Sequence, residues 1–353
     1  MKTRILRLDG SHGDDAKIRS AARAVREGRL VAFPTETVYG LGTNADDPAA
    51  MRRLSDVKQR EPGKPFAIMI PDHGHIERYV KCDVSPLVCK LTRLFWPGPL
   101  TIVVPLPSGG TVGLRLPDHP VARALVAWAE CPVAVPSANP AGAEPPLDAE
   151  SVLRSLGGKI DVLLDGGPVK HGQASTVALA RDSGVEVLRD GPITQAELSE
   201  ASRYTILFVC SGNSCRSPMA EGFLKKILAV RGGNRLAGTR GRIYHVLSAG
   251  TGLIREGEVN PLALEVMAEA GVDISAHRSR PLSVGLIAAA DRIYTMTERQ
   301  RTSILEMVPE AAERTELLDP SGDLLDPAGS DIAAYRDCRD RIAVLVERVA
   351  QHT

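Results

Sequence analysis

Apolar runs of strand length alternate with helix-period segments from one end of the chain to the other, the pattern of an α/β architecture. In the first half, RLVAFPT at 29–35 predicts a strand, and DPAAMRRLSDVKQ predicts a helix beginning at Asp47 or Pro48. Further strands are predicted in LTIVVPL, CPVAVPS, DVLLDGG and VEVLRDG, with prolines frequent in the loops of 97–146. Turn chemistry in DGPIT, a short polar helix in ITQAELSEA and a fresh strand in RYTILFVC mark a boundary near 190–203. Beyond it strand, loop and helix repeat through TILFVC, SPMAEGFLKKILA, IYHVLSAGT, NPLALEVMAEAG and LIAAADRIYTMT. That rhythm predicts an open parallel sheet with helices on its faces. The expected domains are 1–200 and 203–353, and no internal repeat is visible.

Composition narrows the class a little. A chain of 353 residues suits two domains, each long enough for its own core. Basic and acidic residues number 43 each, so no overall positive field argues for non-specific nucleic-acid binding. The opening MKTRILRLDGSHGDDAK lacks the apolar core of a signal peptide, and VGLIAAA, among the longest apolar stretches, is far too short for a membrane span. Six cysteines at 82, 89, 131, 210, 215 and 338 are too sparse for a disulfide framework and contain no Cys-x-x-Cys metal pair. The expectation is a reduced, cytoplasmic protein with no membrane partner.

Chemistry concentrates in CSGNSCRS at 210–217, directly after an apolar strand run. A tight loop between a strand and a helix N-terminus turns backbone N–H groups onto one point, which suits a phosphate. Gly212 and Asn213 tolerate unusual backbone angles, Ser217 is a candidate N-cap, and Pro218 suits a first helical position. Cys210 opens the loop, where amides and helix dipole favour a thiolate, and Arg216 offers a fork for two phosphoryl oxygens. Nucleophile and phosphate cradle share one loop, the arrangement of phosphoryl transfer through a cysteinyl-phosphate.

This stretch resembles the low-molecular-weight protein tyrosine phosphatases. The resemblance spans 203–353 through VCSGNSCRSPMAEG, SAGT at 248–251, GVDISAHRSRPL at 271–282, ADRIYTMT and DPAGSDIAAYRDCRDRI. It implies Cys210 as nucleophile and Arg216 as phosphate clamp, in a loop of Ser211, Gly212, Asn213, Ser214, Cys215 and Ser217 supported by Ser248 and His277. It implies Cys215 as a thiol able to trap oxidised Cys210 as a disulfide. The leaving atom needs a general acid. Asp319, Asp323 and Asp326 compete, and DPAG followed by AYR resembles the family's acid loop, which selects Asp326. Cys338 reads as a core or half-buried thiol. Ala328 stands where the family usually has an aromatic residue. Ser214 stands where tyrosine-directed members have a branched apolar one, and a hydroxyl residue there resembles the branch acting on phosphoarginine. The implied substrate is a phosphoprotein or small aryl phosphate, with phosphotyrosine and phosphoarginine both open and no cofactor required.

In the first half, FPTETVYGLGTNADDP at 33–48 reads by itself as a polar strand end and loop. It is followed by KQR at 58–60, WPGPLT at 96–101, VGLRLPDHP at 112–120, PSANPAG at 136–142, STV at 175–177 and LRDG at 188–191. Lys58, Arg60, Arg115 and Arg189 fall beside small polar residues, and converging they would make a polyphosphate site. In this order the segments resemble the YrdC-like threonylcarbamoyl-AMP synthases over roughly 15–198. The implied fold is a twisted mixed-sheet α/β domain beside a Rossmann-like parallel-sheet phosphatase domain. The implied reaction takes ATP with Mg²⁺, threonine and bicarbonate to threonylcarbamoyl-adenylate and pyrophosphate, the first step of a tRNA modification. The tRNA itself would be met only through a downstream transferase. Lys58, Arg60, Ser137, Asn139, Ser175 and Arg189 would handle nucleotide and phosphates, and Thr35, Arg115 and Ser137 would lie near threonine and its carbamate. No metal site of protein side chains is implied. KQREPGKPFAIMI lacks the proline usual after Lys-x-Arg, and Ala141 replaces a usual serine. A YciO-like nucleotide- or RNA-binding module without synthase chemistry is the alternative.

Overall fold

A computed structural model describes residues 2–11, 13–60, 65–79, 85–106, 109–181, 184–231, 243–252 and 257–352. Cys82 and residues 61–64 of the KQREPGKP stretch lie outside the described residues. The chain divides into two compact units, Met1–Glu200 and Ala201–Thr353. Among the described residues no helix is long and apolar enough to cross a membrane.

The first unit is built on one sheet of ten strands: β1 (Arg4–Arg7), β2 (Val31–Phe33), β3 (Gly40–Asn44), β4 (Ile68–Met69), β5 (Leu100–Pro105), β6 (Thr111–Arg115), β7 (Val133–Ala134), β8 (Val162–Asp165), β9 (Thr176–Arg181) and β10 (Gly184–Arg189). Their order is β1-β8-β2-β3-β7-β4-β6-β5-β9-β10, with parallel and antiparallel neighbours mixed. The helices Asp14–Arg26 and Pro120–Ala129 bury Ala21, Val25, Leu125 and Val126 against Val31 and Phe33. The helix Pro48–Lys58 starts as expected: Asp47 accepts the N–H groups of Ala49 and Ala50 at 2.8 and 3.2 Å, and Pro48 is its first residue.

One expectation is corrected here. The 33–48 stretch is more than a strand end and loop, because Gly40–Asn44 forms β3 against β2, with Val31 opposite Gly42. Residues 31–43 are all buried. The strand is hidden in the sequence because glycines stand where apolar side chains would show the period of two. The ring of Phe33 fills the space instead, and a Cβ on Gly42 would come within 2.8 Å of it.

The second unit contains β11 (Tyr204–Cys210), β12 (Tyr244–Gly250), an antiparallel ribbon of β13 (Gly257–Glu258) and β14 (Arg278–Ser279), β15 (Arg292–Thr295) and β16 (Thr315–Leu317). Its main sheet, β12-β11-β15-β16, is parallel throughout. Ile206, Phe208 and Cys210 of β11 face one core, with the helices Arg216–Val230 and Ile332–His352. Leu207 and Val209 face the other, with Ile287 and Ile304 of the helices Val284–Ala289 and Glu298–Met307. From β11 the chain goes to β12 on one side, then crosses to β15 on the other. The strand order therefore reverses beside β11, and ligands of such sheets sit at the carboxyl end of the strands at that point. Cys210 is the last residue of β11.

Candidate active sites

In the loop after β11, the carbonyls of Cys210, Ser211, Asn213 and Ser214 all accept hydrogen bonds from surrounding segments. Their donors are Thr251 N (3.0 Å), Gly252 N (3.0 Å), Ser279 Oγ (2.6 Å) and Asn260 N (2.9 Å) respectively. A trans peptide holds its N–H opposite its C=O. These four bonds therefore turn the N–H groups of residues 211, 212, 214 and 215 into the loop, forming an anion nest.

Asn213 ties the loop together. Its φ of +50° lies in the left-handed region, where asparagine is enriched. Its N–H donates to Cys210 Sγ at 3.1 Å, and Nδ2 donates to Ser217 Oγ and Ser248 Oγ at 2.9 and 2.8 Å. Its Oδ1 accepts from Arg280 N at 2.8 Å, and its carbonyl also accepts from His277 Nε2 at 3.1 Å. Having accepted from Asn213, Ser217 turns its proton to Cys210 Sγ, 3.0 Å away. Two donors thus face the Cys210 sulfur. Ser248 hands its proton on to Glu221 Oε2 at 2.5 Å. Burial pushes the His277 imidazole below its ordinary pKa, against the opposing pull of Glu221.

Ser217 is not the N-cap that local preference suggests. The helix begins at Arg216 with Cys215 in the cap position, and the Ser217 hydroxyl is committed to Cys210 and Asn213. Pro218 is the third helical residue, where a missing N–H forfeits no helical bond. Arg216 is buried; it donates from Nη1 to Leu324 O at 2.8 Å and pairs through Nη2 with Asp326. Of the other two aspartates, Asp319 is held by Arg341 at 2.8 and 2.6 Å and Asp323 accepts the N–H of Glu298 at 2.7 Å. Cys215 is buried, with Ser214 Oγ and Tyr335 OH each 3.6 Å from its sulfur, and burial pushes its thiol up. Gly212 is exposed at the loop tip, and Cys338 is half-buried against the core.

The first unit gathers a different set. Arg115 ends β6, Thr101 lies in β5, Ser175 precedes β9 and Arg189 ends β10, and these four strands are consecutive in the sheet. With Thr35, Lys58, Arg60 and Ser137 they line a cavity of about 330 Å³. Lys58 Nζ donates to Ser137 O at 2.6 Å and to Asn139 O. Burial, with the charges of Arg60 and Arg189 adding to it, pushes Lys58 down to about 8. Arg60 lies over the Phe66 ring, 4.7 Å from its centre, and its buried Nε has no hydrogen-bond partner among the described residues. Arg189 donates to Ser175 O and Oγ at 2.7 and 3.1 Å, and Thr101 Oγ1 lies 2.9 Å from Ser175 Oγ. Burial lowers the pKa of both Arg60 and Arg189. Thr35 spends its hydroxyl locally, donating to Val38 O at 2.6 Å. Asn139 stands beside the cavity, its Nδ2 donating to Pro140 O and Ala143 O at 3.0 and 2.6 Å.

Several residues here went unnoticed in the sequence. Arg115 Nη2 donates to Glu36 Oε1 at 2.6 Å and Thr37 Oγ1 at 2.9 Å, while Nε donates to Gly98 O at 3.2 Å. Glu36 is 3 % exposed, and its Oε2 is buried without a hydrogen bond among the described residues. It is the one carboxylate paired with any of the four cations among the described residues. The available signal was a polar run, TET, set between two apolar stretches. In the second unit Glu221, Ser279 and Gln300 support the loop from segments far along the chain.

Residues 23–191 match the Sua5–YciO–YrdC family model, described as telomere recombination, and residues 205–352 match that of the low molecular weight phosphotyrosine protein phosphatases. A threonylcarbamoyl-AMP synthase of Pyrococcus abyssi is 39 % identical over 196 residues, 53 % of this chain and 57 % of that protein. One of Chromohalobacter salexigens is 36 % identical over 170 residues, 46 % of this chain and 91 % of that protein. The chain spans a little over half the length of the first relatives it matches. The solved YwlE arginine phosphatase of Geobacillus stearothermophilus is 36 % identical and covers 42 % of this chain and 92 % of its own, with a TM-score of 0.37. Through its first unit the chain belongs to the threonylcarbamoyl-AMP synthase family, and its second unit is a low molecular weight phosphatase domain.

Proposed function

We propose that the chain carries two chemistries, synthesis of threonylcarbamoyl-AMP in the first unit and phosphate hydrolysis in the second. The observation that supports the first is the cavity, where Lys58, Arg60, Arg115 and Arg189 meet hydroxyl groups and where, among the described residues, only Arg115 is paired with a carboxylate. Such a site favours a bound polyphosphate and the negative charge that builds as pyrophosphate leaves. Lys58, Arg60, Ser175 and Arg189 take the phosphates of ATP, with Ser137 and Asn139 shaping the loop over Lys58. Arg115, held by Glu36 and Thr37, lies with Thr35 and Ser137 near threonine and its bicarbonate-derived carbamate. Among the described residues no group of three or more His, Cys, Asp or Glu could hold a metal. Mg²⁺ would enter on the triphosphate, where it offsets charge. The product serves tRNA modification through a downstream transferase.

In the second unit, Cys210 Sγ attacks phosphorus while Arg216 and the loop N–H groups hold the non-bridging oxygens. Once the phosphoryl group has displaced it from Arg216, Asp326 in its protonated form supplies the proton as the bond to the leaving oxygen or nitrogen breaks. As the resulting carboxylate it then accepts one from the water that cleaves the cysteinyl-phosphate. The substrate is a phosphorylated protein side chain. Among the described residues the cysteines form no disulfide, which suits a reducing compartment such as the cytoplasm.

The test uses the whole chain with p-nitrophenyl phosphate, and separately with ATP, Mg²⁺, bicarbonate and threonine. Nitrophenol and threonine-dependent pyrophosphate are the expected products. Nitrophenol alone would leave the first unit a nucleotide-binding module, and pyrophosphate alone would remove the phosphatase assignment.

A further inference from the structure

Gln300 is buried, and both ends of its side-chain amide are engaged. One terminal atom accepts the N–H groups of Met296 at 2.9 Å and Thr297 at 3.0 Å, as part of the capping box that starts the helix Glu298–Met307. An atom receiving two N–H donors must be the amide oxygen. The other is therefore Nε2, and it donates to Ser211 Oγ at 3.1 Å. A hydroxyl that accepts there keeps its own proton for something else. Among the described residues no protein group takes that proton.

The Ser211 backbone is fixed as well. Its carbonyl accepts from Gly252 N at 3.0 Å, and a Cβ on Gly250 would come within 2.7 Å of that carbonyl oxygen. Ser211 is exposed and directly follows Cys210. The same device already operates once in the loop, where Ser217 accepts from Asn213 and so donates to Cys210.

We propose that Gln300 is a positioning residue that leaves the Ser211 hydroxyl proton free for a phosphoryl oxygen seated over Cys210, making Ser211 a catalytic residue beside the loop N–H groups. The inference rests on the phosphatase reading of this unit. It concerns the phosphoryl group, so it holds for an ester or an amidate substrate alike.

Gln300→Glu is the discriminating substitution. Its carboxylate still accepts both cap N–H groups, but it has no proton to give and draws the Ser211 proton toward itself. With p-nitrophenyl phosphate, S211A and Q300E are each expected to lower kcat/KM about tenfold, the worth of one hydrogen bond. In the S211A background, Q300E is expected to cost nothing more. Inorganic phosphate binding, measured by calorimetry, reads the same contact without turnover and should weaken by a similar factor in both variants. A folded S211A or Q300E that matches the wild type in both assays would overturn the proposal. So would a further tenfold loss when Q300E is added to S211A, which would assign the effect to the new negative charge. A wild type that binds phosphate without hydrolysing the ester would count against the phosphatase reading, while the phosphate affinities would still decide the role of Gln300.

Discussion

In the first unit, of the four cations Lys58, Arg60, Arg115 and Arg189, only Arg115 is paired with a carboxylate among the described residues, and Lys58 is held down to about 8. In the second unit Arg216 is already paired with Asp326 of its own unit. In the first site burial, with the neighbouring charges adding to it, disfavours the Lys58 ammonium, and an arriving anion would favour it. The second is occupied by an internal anion, which a phosphate must displace. A polyphosphate substrate brings enough charge to satisfy several cations at once, whereas a single phosphoryl group must be held tightly by a few groups and released after hydrolysis.

The largest effect expected is from Cys210→Ser. Hydrolysis of p-nitrophenyl phosphate should fall by on the order of 10⁴-fold or more, since removing a nucleophile removes the pathway. Threonine-dependent pyrophosphate release should be unchanged, and a parallel fall in both would erase the separation between the sites. Asp326→Asn should lower ester turnover roughly 10²–10³-fold through loss of the general acid. It should also tighten binding of inorganic phosphate, because no carboxylate then competes for Arg216; weaker binding would contradict the internal-competitor account.

A smaller effect follows from Lys58. Its ammonium is charged below about 8 and neutral above it. As pH rises from 7 to 9 the charged fraction falls roughly tenfold, so affinity of the free protein for pyrophosphate should fall by about that factor. Lys58→Ala should flatten that dependence, and a titration equally steep in the variant would assign it elsewhere. The smallest effect is expected from Glu36→Gln, which keeps the shape around Arg115 and removes the charge that holds it. Threonine should bind several-fold more weakly, with ATP affinity nearly unchanged. Equal losses for both ligands would mean that Glu36 sets the charge of the whole cavity rather than the position of Arg115.

The same contrast decided what was legible in the sequence. CSGNSCRS places the proposed nucleophile, nest and clamp within one strand-to-helix loop, so local chemistry was enough to propose them. The cavity assembles residues from 35 to 189 through the strand order β6-β5-β9-β10, which no local pattern encodes. There the reading depended on the order of whole segments. Glu36 was invisible because a carboxylate between threonines reads as solvated loop until packing buries it. β3 was hidden by Gly40 and Gly42, and the Ser217 cap was overridden by the stronger demand of holding Cys210 and Asn213. In each case a tertiary contact outweighed a local preference.

The most direct test of the central claim is mass spectrometry of the whole chain incubated with ATP, Mg²⁺, bicarbonate and threonine. The account predicts a threonylcarbamoyl-adenylate mass that appears only when threonine and bicarbonate are both present, in the wild type and equally in Cys210→Ser. Folded protein that hydrolyses p-nitrophenyl phosphate but yields no such adduct would contradict the account and leave a phosphatase joined to a nucleotide-binding module.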